Sequence, residues 1–146
     1  MTRASRPGAT QRLWAIVIVV VAVVVAGALA VVMALSRPSI ERTTWYMTTW
    51  SERVALPTDV KLSLYLDGDG YAGSSGVNDF HGSLTLNGNR ITLGAPTVTT
   101  RQTGTPAQMA AERAYLAALP NLTAWQLAQP NLTLTGGDHN LVFTSG

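Results

Sequence analysis

The chain has 146 residues, with ten lysines and arginines against eight aspartates and glutamates, a formal net charge of +2, and no cysteine. That length admits one domain of ordinary size plus an appendage. Without cysteine, thiol catalysis, thiolate-held zinc and disulfides are excluded, and the redox compartment stays open.

Charge and apolarity are unevenly spread. Arg3, Arg6, Arg12 and Arg37 precede Ile40, whereas from Glu41 onward six bases face eight acids, a net of −2. The basic character therefore belongs to the N-terminal tail. The remainder has no basic patch interleaved with aromatics, so no nucleic-acid partner is expected.

Residues 1–12 read as a basic cytoplasmic tail. Leu13–Leu35 is a run of 23 residues without a charge. As a helix it rises about 34 Å, enough for a hydrocarbon core of ~30 Å with some tilt. Arginines and the free amine before it outweigh Arg37 and Arg42 after it, which are partly offset by Glu41. The positive-inside rule then expects a single-pass signal anchor in the cell membrane, N-terminus cytoplasmic and domain outside. Trp14 falls at the interface as an anchor. Ala28-Leu29-Ala30 offers a cleavage site near Ala30 and hence a secreted alternative, although the apolar run is longer than a usual signal core. Ala22, Ala26, Ala30 and Ala34 recur every fourth residue, a spacing that allows weak self-association of membrane helices.

Residues 36–43, with Pro38, read as a linker, and 44–146 as a β-rich domain. Trp45–Trp50 is strand-prone, with Trp45, Met47 and Thr49 on one face and Tyr46, Thr48 and Trp50 on the other. Val60–Leu66 alternates well, and Asp67-Gly68-Asp69-Gly70 then forms a hairpin turn. The next strand starts at Tyr71 and bends at Gly73–Gly76. Phe80–Leu86 resumes the alternation, Asn87-Gly88 turns, Arg90–Leu93 returns, and Pro96–Arg101 is a further short strand. Thr105-Pro106-Ala107-Gln108 is a capping box with proline at the first helical position. Its helix should run to Leu119 and stop at Pro120, with Met109, Leu116 and Leu119 on one face. Glu112 falls within that face and needs a partner: Arg101, a backbone amide, or a place at the rim. Strands Leu122–Leu127, Leu132–Thr135 and Asn140–Thr144 close the chain. The expected fold is mainly β (α+β): an antiparallel sheet curled into a small, partly closed barrel with one α-helix, preceded by the transmembrane helix.

Gly73-Ser74-Ser75-Gly76-Val77-Asn78-Asp79-Phe80-His81-Gly82 resembles the G-x-x-G-C-N-x-F-x-G signature of the META domain, or HslJ-like, family. Trp45 on the first strand, Thr100–Gly104, Glu112–Leu119, and the closing Leu132-Thr133-Leu134 and Leu141-Val142-Phe143 are similar to further family segments in the same order. The resemblance spans about Trp45–Phe143. It implies a small exported or envelope protein associated with heat shock, antibiotic tolerance, or secretion and motility, with no established catalytic residues. Family members commonly carry cysteine where Val77 and Gly104 stand here. A joint loss is what a contacting pair would show, and any thiol-dependent family role is absent.

Gly73, Gly76, Asn78, Phe80 and Gly82 are therefore candidate structural or ligand-binding residues, with the structural role favoured for glycines inside strands. Trp45, Trp50 and Trp125 belong to the core or rim of a small barrel, or else line a ligand groove. Asp67–Gly70 fails as a calcium loop, because Tyr71 and Ala72 stand where a ligand and a glycine are needed. His81 and His139 have Asp79 and Asp138 nearby, but nothing in the sequence brings the histidines together, so no catalytic or metal role is assigned and no cofactor is expected. The function expected is a non-enzymatic stress-response or binding module in the envelope. Its partners would be the lipid bilayer and an envelope protein or small ligand. The alternatives are an inhibitor-type module acting on a secreted hydrolase and, less favoured, an enzyme using Asp79, His81 or His139.

Overall fold

The structure, a computed structural model, describes residues 17–25, 27–28 and 39–146, in two compact units divided between Ser39 and Ile40. In the first unit residues 17–25 and 27–28 are helical, and Val17–Val25 expose their valines and Ile18. No helix among the described residues is long and apolar enough to cross a membrane. Most of Leu13–Leu35, including Trp14, Ala26, Ala30 and Ala34, lies outside the described residues.

The second unit contains nine strands: β1 (Thr44–Trp50), β2 (Ser63–Asp67), β3 (Gly70–Ser74), β4 (Asp79–Asn87), β5 (Arg90–Leu93), β6 (Thr97–Val98), β7 (Ala124–Ala128), β8 (Asn131–Gly136) and β9 (His139–Ser145). Between β6 and β7 come the helix α1 (Pro106–Ala118) and a 3-10 turn, Leu119–Asn121. All pairings are antiparallel, in the order β3-β2-β1-β9-β8-β7-β5-β4-β6, and an additional β3–β4 pairing brings the sheet back on itself. The result is a near-ring with one narrow seam. There β5 and β7 share only the Arg90–Ala124 register pair, flanked by Ile91 N–H donating to Thr123 O (3.1 Å) and Trp125 N–H to Asn89 O (2.9 Å).

Three hairpins use one device. Asp67 pairs Gly70, Asn87 pairs Arg90 and Gly136 pairs His139, so each loop has two residues, the first being Gly68, Gly88 or Gly137. These glycines have φ near +60° (58°, 60° and 57°), which matches the strand twist and which glycine adopts without a Cβ clash. The β7–β8 hairpin turns instead through Gln129 and a cis Pro130.

Period-two alternation fills the inside of the ring. Leu64, Leu66, Phe80, Leu84, Ile91, Leu93, Leu132, Leu134, Leu141 and Phe143 are all buried, while their strand neighbours face outward or sit at the rim. At ~25 cal/mol per Å² of apolar surface, each fully buried leucine or phenylalanine contributes about 1.5–3 kcal/mol before ordering entropy is counted.

Four local readings of the sequence change. The β1–β9 register shifts between Met47 and Thr49, leaving both Thr48 and Thr49 exposed and turning Trp50 towards the core beside Met47. A bulge adds one residue and reverses the alternation beyond it, so Trp50 joins the face of Trp45. The strand expected at Val60–Leu66 starts at Ser63, with Leu62 reaching Ser75 by an isolated bridge. The chain winds on past Ala118 in the 3-10 turn, which tolerates Pro120 because a first-turn position lacks an N–H partner anyway. Leu122 N–H closes that turn on Leu119 O (3.2 Å), which delays β7 to Ala124.

The helix also buries a different face. Ala111, Glu112, Tyr115 and Ala118 are buried, whereas Met109 and Leu116 are only partly so. The two alanines let the backbone approach the ring closely, and Tyr115 fills the space between. Its N-terminus forms as expected: Thr105 Oγ1 accepts from Gln108 N–H (3.3 Å), and Gln108 Oε1 accepts from Thr105 N–H (2.8 Å).

The domain begins before β1. Ile40 is buried and its carbonyl accepts from Trp45 Nε1 (2.8 Å). Glu41 Oε1 accepts from Gly68 N–H (3.0 Å), and Arg42 N–H donates to Leu66 O (2.8 Å). Residues 40–42 are thus fastened to the β2–β3 hairpin.

Candidate functional site

The motif glycines are explained by close approach. Gly82 lies opposite Tyr71 on β3, and a Cβ there would stand 2.4 Å from the Tyr71 ring, which covers the glycine. A Cβ on Gly73 would meet Ser63 O at 2.1 Å, and Gly76 has φ 84° with Val60 Cβ where its own side chain would go. Phe80 is buried between two tyrosines: the ring centroids stand 6.1 Å from Tyr71 and 5.6 Å, edge-on, from Tyr115. Both hydroxyls donate to backbone carbonyls, Tyr71 to Gly94 O (2.5 Å) and Tyr115 to Ser63 O (3.1 Å). Burial pushes the Tyr71 hydroxyl up to about 12. It raises Tyr115 further still, with the neighbouring Tyr71 as the smaller cause.

Asn78 is the hub of the motif. Its Nδ2 donates to Gln102 O and to Glu112 Oε1 and Oε2, each at 3.1 Å. Its Oδ1 accepts from Gln102 N–H (2.7 Å) and Thr100 Oγ1 (3.0 Å). Ser75 Oγ contacts Glu112 Oε2, accepts from Asn78 N–H (3.1 Å) and lies 2.7 Å from Asn78 O. The partner that Glu112 required is therefore this amide and hydroxyl, not the exposed Arg101. One side chain satisfies a buried carboxyl on α1, the loop 100–102 and the β3–β4 turn together, so the cluster is a structural clamp. A second juxtaposition accompanies it: a Cβ built on Gly104 would lie 2.9 Å from Val77 Cγ2. Val77 and Gly104, the two positions that the resemblance compares with family cysteines, thus lie against each other.

The three tryptophans do not meet in one groove. Trp45 is 1% exposed and belongs to the core. Trp50 lines a shallow cavity of about 130 Å³ with Thr49, Ser51, Asn140 and Val142. Trp125 borders a separate cavity of about 390 Å³ beside the β5–β7 seam, lined also by Asn89, Gln126, Thr133 and Thr135. Its Nε1 is the buried side-chain polar atom left without a hydrogen-bond partner among the described residues.

A larger cleft, of about 510 Å³, opens where β1 ends and β9 begins. Ser51, Glu52, Arg53 and Val54 form one wall, Gly137, Asp138 and His139 the other, and Asn121 of the 3-10 turn closes it. Ser51 ties the walls together: its Oγ donates to Asp138 O (3.0 Å) and accepts from Asn140 N–H (2.8 Å), and its N–H donates to Asn140 O (3.0 Å). His139 Nδ1 lies 2.6 Å from Glu52 Oε1, with the side chains 26% and 15% exposed. His81 stands elsewhere, exposed on β4 and opposite Ala72 and Thr97. Sequence reading noticed His139 but had no means of finding Glu52, which lies 87 positions away and becomes a neighbour only through the β1–β9 pairing. Among the described residues, no group of three or more histidine, cysteine or acidic side chains could hold a metal ion.

A closely packed antiparallel near-ring, one helix clamped to it by a buried amide–carboxyl cluster, and clefts confined to the surface define a small β-ring domain. The chain belongs to the META domain family, whose pattern matches residues 38–145. No curated protein matches it. Among solved structures, an NMR structure of a protein from Burkholderia xenovorans is similar at a TM-score of 0.61 and 24% identity, covering 73% of this chain and 83% of that one. A DUF4847 family protein from Bacteroides vulgatus is similar at a TM-score of 0.52 and 13% identity, covering 70% and 91%. These likenesses show the fold. The META domain is not a known enzyme family.

Proposed function

We propose that this protein is a membrane-anchored envelope protein whose META domain acts outside the cytoplasm, without catalysis, as a stress-response module that binds another envelope component at the Ser51–Val54 and Gly137–His139 cleft. The observation that carries this reading is the placement of the cleft. The ring interior is filled by packed side chains, so binding falls to the surface, and this cleft is the largest of those described. Strand direction supports the same arrangement. The chain enters the domain at Ile40, beside the β2–β3 hairpin, and the cleft lies at the opposite end of β1. Six steps of ~3.3 Å from Thr44 to Trp50 separate the two ends by about 20 Å. Within the domain, the cleft thus lies at the end of β1 remote from Ile40. The test is site-specific photocrosslinking in cells under heat or antibiotic stress. A probe at Arg53 is expected to capture a partner that a probe at Thr97 does not. Equal capture at both positions, or deletion without any effect on tolerance to several envelope stresses, overturns the proposal. A captured secreted hydrolase would redirect it to inhibition.

A further inference from the structure

Exposed apolar side chains are scarce on the ring domain. Among its described residues three large ones reach solvent: Tyr46 (40% exposed), Tyr65 (36%) and Val98 (42%). Val98 lies opposite the buried Phe80 on the last strand of the sheet order. The two tyrosines alternate with the buried Trp45, Leu64 and Leu66, so both project from the outer face. Register makes them diagonal neighbours: Tyr65 pairs Thr44 and Tyr46 pairs Ser63, a separation of about 7–8 Å across adjacent strands. The same register extends this surface in two rows. Tyr65 shares one row with Thr44 on β1, Ala72 on β3, His81 on β4 and Thr97 on β6. Tyr46 shares the other with Thr144 on β9, Ser63 on β2, Ser74 on β3 and Asp79 on β4. Two of the hydroxyls have a proton to spare. Ser63 Oγ accepts from Ser74 N–H (3.0 Å) and Ser74 Oγ accepts from Gly76 N–H (3.3 Å), so each can still donate its O–H. Asp79 supplies the one carboxylate, and neither row holds a lysine or arginine. Beyond Tyr65 the face ends at the Arg42–Asp67 ion pair (3.2 Å). The Tyr46 ring is propped by the backbone of Gly146, where an added side chain would run into it.

We propose that this face, centred on Tyr46 and Tyr65, binds a neutral oligosaccharide, a flat β-1,4-linked chain of hexoses or their N-acetyl derivatives. Charge and area together single out this occupant. A face with one carboxylate and no base offers nothing to a nucleic acid or an anionic lipid surface. Each row spans five strands at ~4.8 Å and the rows lie two residues apart, which gives a strip of about 19 by 7 Å. That is about 130 Å², against the ~800 Å² that each partner buries in a standard protein interface. A slender ligand therefore fits where a protein or a second copy of this chain does not. The apolar C–H face of a hexose stacks on an aromatic ring, whose face carries the negative end of its quadrupole. Its hydroxyls then meet donors at Ser63 and Ser74 and an acceptor at Asp79. The strip is separate from the cleft, which lies beyond Trp50 at the other end of β1, and each can bind without the other.

The test titrates the 15N-labelled full chain, in micelles of a sugar-free detergent, with cellohexaose and with chitohexaose while the amide spectrum is followed. Saturable shifts centred on Tyr46 and Tyr65 are expected with at least one of the two sugars. Tyr46→Ala and Tyr65→Ala should each weaken binding about tenfold, as loss of one stacked ring does. The corresponding phenylalanine variants keep the ring and should stay within about threefold of the parent. Added salt should leave the affinity unchanged, because the ligand is neutral. Arg53→Ala, in the cleft, should leave it unchanged as well. The amide spectrum reports the fold of every variant in the same experiment. No saturable shift with either sugar, shifts centred on Glu52 and His139, or an unchanged affinity in Y65A overturns the inference. None of these outcomes bears on crosslinking at Arg53, which decides the functional proposal by itself.

Discussion

Replacing both Val77 and Gly104 with cysteine should create a disulfide that the chain lacks. A Cβ at 104 would lie 2.9 Å from Val77 Cγ2, the atom that a cysteine Sγ replaces. An S–S bond of ~2.05 Å places one Sγ about 3.0 Å from the opposite Cβ, so the positions suit a bridge without backbone movement. Gly104 is not among the glycines with positive φ, and its backbone therefore accepts a side chain. A cross-link closing a loop of about 28 residues restricts the unfolded chain by about 3.6 kcal/mol at 25 °C. Against this, the new Cβ would stand 2.6 Å from Gln108 Oε1, which must release its bond to Thr105 N–H. Losing half of the capping box costs about 1 kcal/mol. The net gain is then about 2–3 kcal/mol, a rise in Tm of roughly 10 °C for a domain of this size. Thermal melting of the double variant, oxidised and reduced, measures it, with a thiol count confirming closure. Free thiols in the oxidised folded protein, or an oxidised form melting no higher than the reduced one, would refute the geometry.

Asn78→Ala should lower stability by about 3 kcal/mol or more, because it strands the buried Glu112 carboxyl and the Gln102 amide together; the urea midpoint measures this. Gly82→Ala should cost about 2–4 kcal/mol by driving Tyr71 from its place and breaking its bond to Gly94 O, whereas Gly82→Ser at the same site should fare no better. Alkaline conditions should unfold the domain progressively. With Tyr71 at about 12 against an ordinary 10.0, the folded state holds its proton where the unfolded state has lost it. Stability is thus full below pH 10 and falls between pH 10 and 12, by about 1.4 kcal/mol per pH unit for each buried tyrosine. Tyr71→Phe should halve that slope in melts recorded against pH, and an unaltered slope would sink the assignment.

Much of the architecture was legible because it rests on local chemistry. The Asp-Gly and Asn-Gly pairs marked turns that formed as two-residue hairpins, Arg90–Leu93 is a strand at the limits its alternation suggested, and Thr105–Gln108 capped the helix. The central Gly-x-x-Gly-x-Asn-x-Phe-x-Gly run was enough to point to the family. What misled was non-local. A bulge at Thr48 is set by the partner strand, and it reversed the face of Trp50. The buried side of α1 was chosen by what the ring offered: polar partners for Glu112 and room for Tyr115.

By itself the sequence determined the periodicities, the turns, the helix start, the opposite charge of tail and domain, and the family, since each depends on residues near one another along the chain. Only the tertiary structure decided which distant side chains became partners. It put Asn78 beneath Glu112, Val77 against Gly104, and Glu52 on His139, across separations of 34, 27 and 87 positions. Such contacts arise from strand order and register, which depend on how the whole ring closes and which no local pattern encodes.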